Sequence, residues 1–68
     1  MSDWVLFVDQ CDDLLCSLDD LPERAEDFAD GVRTTIEGMR NWAEDHEHVT
    51  EKMQTALENT TFAVEKWL

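Results

Sequence analysis

The chain has 68 residues, 17 of them Asp or Glu against 5 Lys or Arg, giving a formal net charge of −12 at pH 7. That charge repels nucleic acid and anionic membranes, which excludes direct DNA or RNA binding as the expected mode, and it attracts basic protein surfaces. A hydrophobic share of 43%, with three Trp and three Phe, excludes a disordered acidic tail.

No run approaches the roughly 18 apolar residues of a membrane span, and no basic, apolar leader opens the sequence. The expectation is a soluble cytoplasmic chain with no membrane partner. It reads as one helical domain over residues 1–68, because alternation of period two is absent and a period of seven is pervasive. One column runs Phe7, Leu14, Leu21, Phe28, Thr35, Trp42 and Val49. A second runs Trp4, Cys11, Leu18, Ala25, Val32 and Met39, and a third runs Val8, Leu15, Pro22, Ala29, Ile36 and Ala43. Together they form the wide apolar face of core-facing helices.

The first helix is predicted over about 3–18, with Ser2 as its N-cap. Cys11 lies on its apolar stripe and Cys16 does not. Five residues apart on a helix, the two thiols point about 140° apart, which rules out an intrachain disulfide.

A second helix is predicted over about 21–45. Asp20 is its expected N-cap, Glu23 completes a capping box, and Pro22 is tolerated in the first turn. Gly31 and Gly38 each weaken this helix by about 1 kcal/mol, so a break at Asp30-Gly31 is the rival reading. The third helix is predicted over about 50–67. Thr50 caps it, and Met53, Leu57, Thr60, Val64 and Trp67 or Leu68 face inward.

Between the second and third helices lies Glu44-Asp45-His46-Glu47-His48, which looks like a ligand set. Inward-facing Glu-x-x-His motifs hold di-iron sites in helical bundles, but here the required glutamate positions carry Ala43 and Asp45. A helix terminus explains the run better: His46 and His48 near a C-terminus, and Glu51 in a first turn, both suit the helix dipole. The expectation is no metal and no cofactor. Nor does any Ser or Cys stand at an informative spacing from a histidine, and no glycine-rich phosphate loop exists, so no catalytic residues and no enzyme activity are expected.

Two features point to partner binding. An acidic column of Glu23, Asp30, Glu37, Glu44, Glu51, Glu58 and Glu65 runs through the heptad register and marks a solvent or partner face. Phe62 sits off the apolar stripe of the third helix with Glu58 and Glu65 on its side, as an interface aromatic would. The predicted partner-binding set is Glu23, Asp30, Glu37, Glu44 and Phe62.

The resulting expectation is an all-α, three-helix antiparallel bundle or helical hairpin. So short a chain leaves apolar surface uncovered, so homo-oligomerisation is expected to complete it. The expected role is a non-enzymatic protein–protein interaction module with a basic partner, of a size and acidity that suit a phage or mobile element. The alternatives are an acidic inhibitor that mimics nucleic acid in a basic groove, and a metal-binding helical bundle.

Overall fold

The computed structural model describes residues 2–68 as three helices and no strands. Helix α1 spans Asp3–Ser17, α2 spans Glu26–His46 and α3 spans Glu51–Glu65. Short connections fold them into an elongated all-α bundle of 35 × 18 × 17 Å.

The Thr50 cap forms as its position predicts. Its side-chain oxygen accepts from the Met53 amide at 3.1 Å, while the Thr50 backbone is extended. Upstream of it, α2 ends in a Schellman arrangement, in which the His48 amide donates to the Ala43 carbonyl at 3.2 Å. Glu47 takes the left-handed conformation there, at φ 48° and ψ 45°, a place usually held by glycine.

The connection between α1 and α2 departs from expectation. A 3₁₀ turn covers Leu18–Asp20 and another covers Glu23–Ala25, so the α-helix proper starts at Glu26. Asp20 makes no capping bond, because Leu21 and Pro22 are both extended. The residue before a proline is pushed out of the helical region, which separates Asp20 from the helix it was expected to cap. Ser2 likewise takes an extended backbone ahead of α1 without a side-chain cap bond; its carbonyl accepts from the Val5 and Leu6 amides at 3.1 and 3.4 Å.

Gly31 does not break α2, which runs unbroken through both glycines. Neither glycine has a positive φ, and a Cβ at either position would meet nothing within 4 Å. Their cost in helix propensity is therefore not recovered by close packing.

The core draws unevenly on the three helices. Helix α1 and the turn after it contribute Phe7, Cys11, Leu14 and Leu18, and the chain from Ala25 through α2 contributes Ala25, Ala29, Val32, Ile36 and Ala43. Helix α3 contributes only Leu57 and Val64. Three of the buried residues on the α2 side are small alanines, and α1 packs along α2 far more extensively than along α3.

Thr35, Trp42, Trp67 and Leu68 are corrections to the inward stripes: none of the four is buried. A seven-residue step falls about 20° short of two full turns on a straight helix. Nor does the column run through one helix: α1 ends at Ser17 and α2 starts at Glu26, so the phase set by buried Phe7 and Leu14 does not carry over, and on α2 Phe28 is half-buried while Thr35 and Trp42 are exposed. Trp67 is half-covered instead, tilted against Phe28 at 6.0 Å with the Arg24 guanidinium 5.6 Å above its ring.

Candidate interaction surface

Among the described residues no polar or charged side chain is buried, so the polar chemistry of this fold lies on its surface. It is distributed very differently over the two seams that flank α1.

Along the α1–α2 seam, opposite charges are paired. Arg40 reaches across from α2 to α1, its Nε donating to one Asp12 oxygen at 2.6 Å and a terminal nitrogen to the other at 3.4 Å. Its second terminal nitrogen donates to Glu44 one turn along α2, at 2.8 Å. The hydrogen bond to Asp12, aided by both carboxylates, raises the Arg40 guanidinium above its already high ordinary value. Nearer the connection, Arg33 stands 3.6 Å from Asp19. All three arginines, counting Arg24 over Trp67, are thus engaged within the chain.

The α1–α3 seam is open. A groove of about 490 Å³ runs between the two helices, with Leu14, Leu57 and Val64 beneath it. Phe62 and Leu68 border it and are 64% and 66% exposed, the highest values among the large apolar side chains of the described residues. Its acidic side chains are Asp13, Glu58 and Glu65, and among the described residues no Lys, Arg or His lines it. Ser17 and Thr61 also line it, but their hydroxyl protons are already donated to the carbonyls of Asp13 and Leu57, at 3.1 and 2.8 Å. Apart from the amides of Gln10 and Gln54, its polar side chains therefore accept hydrogen bonds and do not donate them.

The expected partner-binding residues fall in different places. Glu23 and Asp30 border a shallow hollow at the start of α2, together with Arg33. Glu37 is exposed on α2, and Glu44 is tied to Arg40. Phe62 alone of that set lies at the α1–α3 groove. All seven carboxylates of the acidic column are exposed, but the column is not one surface: Glu44 joins the α1–α2 seam, and Glu58 and Glu65 join the other.

Asp13, absent from the expected set, becomes a rim residue of the groove. Its signal in the sequence is the polar Gln10, Asp13 and Ser17 stripe, which marks one face of α1 over two turns as Glu58, Phe62 and Glu65 mark one face of α3.

The two histidines belong to the end of α2. His46 stacks on Trp42 at 4.2 Å between ring centroids, with Nδ1 2.9 Å from the Trp42 carbonyl, and His48 tilts against the same indole at 6.2 Å. Among the described residues no group of three or more His, Cys, Asp or Glu side chains converges as metal ligands would. No described helix is long and apolar enough to cross a membrane.

Fold and surface together define a three-helix bundle with one charge-paired seam and one open acidic seam. No family model, curated protein or solved structure matches the chain.

Proposed function

We propose that this protein is a non-enzymatic interaction module that engages a basic protein partner through its α1–α3 face. The supporting observation is the groove itself: exposed Phe62 and Leu68 beside three carboxylates, with no cation of this chain lining it among the described residues. An aromatic anchor ringed by complementary charge is the usual anatomy of a binding hot spot. Mimicry of nucleic acid, the other use of such acidity, needs a continuous run of free carboxylates. Arg33 and Arg40 interrupt that run on the α2 side.

Two charge reversals of equal size test the reading. The groove triple is Asp13→Lys, Glu58→Lys and Glu65→Lys; the α2 triple is Asp30→Lys, Glu37→Lys and Glu44→Lys. Both change the net charge equally, so bulk electrostatics cancel in the comparison. In a pull-down from the native host with salt-graded elution, the groove triple is expected to lose a basic partner that the α2 triple retains. Retention by the groove triple, or loss by the α2 triple alone, contradicts the proposal.

A further inference from the structure

We infer that the α1–α3 groove seats a single amphipathic, basic α-helix of the partner, laid along α3. The inference rests on the reading of this face as the interaction surface and specifies what occupies it.

The occupant must be helical because of what the groove offers. Both walls are helices, whose backbone groups are already bonded within themselves, so an extended segment would find no sheet edge to pair with. A helix satisfies its own backbone, and the groove between two helices accepts the side-chain ridge of a third. The lining runs from Gln54 on α3 to Leu68 in the turn just past its end, about 21 Å at helical rise, which matches a helix of about 14 residues.

The occupant must be basic on its flanks. The groove's acidic rim and its largely acceptor-only polar groups call for donors carrying positive charge. Lys or Arg side chains on either side of an apolar stripe reach Asp13 on one wall and Glu58 and Glu65 on the other, while the stripe covers Phe62 and Leu68.

No segment of this chain fits that description. Helix α1 has no Lys or Arg, α3 has only Lys52, and Arg33 and Arg40 of α2 are held by Asp19, Asp12 and Glu44. A second copy seated groove to groove would bring Asp13, Glu58 and Glu65 against the same carboxylates, on two chains that each carry −12. Like charges facing one another disfavour that arrangement, and added salt would relieve it.

The test uses a capped Leu/Lys peptide of about 14 residues, long enough for four helical turns, with leucine along one helical face. A scrambled peptide of identical composition, lacking the stripe, is the control. In calorimetry, the striped peptide is expected to bind at least tenfold more tightly than the scramble, to gain helicity on binding, and to weaken as salt rises. Phe62→Ser should weaken it about tenfold, as removal of an aromatic anchor does. Phe62 is mostly exposed, so the variant should keep its helicity, which circular dichroism checks.

Equal binding of both peptides, abolished by the groove triple, would overturn the helix inference and leave the basic-partner reading standing. Binding of neither overturns both. Light scattering decides the remaining occupant: a mass that doubles with added salt, and fails to do so in Phe62→Ser, would assign the groove to a second copy instead.

Discussion

The two seams beside α1 are built from opposite solutions to the same problem. On the α2 side the helices pack extensively around buried small and apolar residues, and Arg33 and Arg40 pair with Asp19, Asp12 and Glu44. On the α3 side only Leu57 and Val64 are buried, no cation lines the gap among the described residues, and a large aromatic is left in solvent. The first seam needs nothing further. The second leaves apolar and acidic side chains in solvent, and on the proposed reading it is the face offered to a partner.

The largest effect that sharpens the contrast is in the core. Ile36, fully buried on α2, should cost about 4 kcal/mol on truncation to Ala. Leu57→Ala, beneath the open groove, should cost nearer to about 2.5 kcal/mol, because the site can relax or admit solvent. Urea denaturation measures both, and equal losses would erase the distinction between the seams.

Next in size is an alkaline effect on α1. Burial pushes the Cys11 thiol up to about 11, with Asp12 adding to the rise and Arg40 opposing it. The folded state therefore holds a proton that the unfolded chain gives up at the ordinary value of 9.0. Stability should fall as pH climbs from about 9 to about 11, and Cys11→Ala should abolish that slope at some loss of baseline stability. Iodoacetamide should label exposed Cys16 in the native protein, and Cys11 only as the bundle opens.

A smaller change probes the paired seam directly. Arg40→Met removes the cation shared by Asp12 and Glu44 and should cost about 1 kcal/mol, an amount that shrinks in about 0.5 M salt. The smallest expected effect belongs to the open seam: Phe62→Ala should alter stability by less than about 0.5 kcal/mol, because the ring is mostly in solvent. A large destabilisation there, read by thermal unfolding, would make Phe62 a packing residue.

Much of the fold is legible from local signals. Thr50 stands just before an apolar-periodic stretch and caps it, and in the column from Trp4 to Met39 the four middle members, Cys11, Leu18, Ala25 and Val32, are buried while the two ends are half-buried. Asp20 misleads because a capping box was read through Pro22, whose effect on Leu21 outweighs it. Trp42 misleads because its heptad column spans the break between α1 and α2, where the helical phase is reset.

The candidate surface was half legible. Phe62 with Glu58 and Glu65 is a pattern on one helix, readable from spacing alone. That Asp13 faces them, and that Glu44 is instead drawn into the Arg40 network, depends on how α1 sits between its neighbours. A one-dimensional column of acids carries no record of which seam each carboxylate joins.

The contrast between the seams is most directly tested by amide hydrogen exchange, followed residue by residue in the free protein and with the striped Leu/Lys peptide. Local opening is easiest where burial is sparse. Residues 57–61 of α3 are expected to open at a lower free energy than residues 32–36 of α2, and bound peptide should slow the first group while leaving the second unchanged. Equal protection of the two segments in the free protein, or peptide-induced slowing confined to α2, would contradict an open, partner-ready α1–α3 seam.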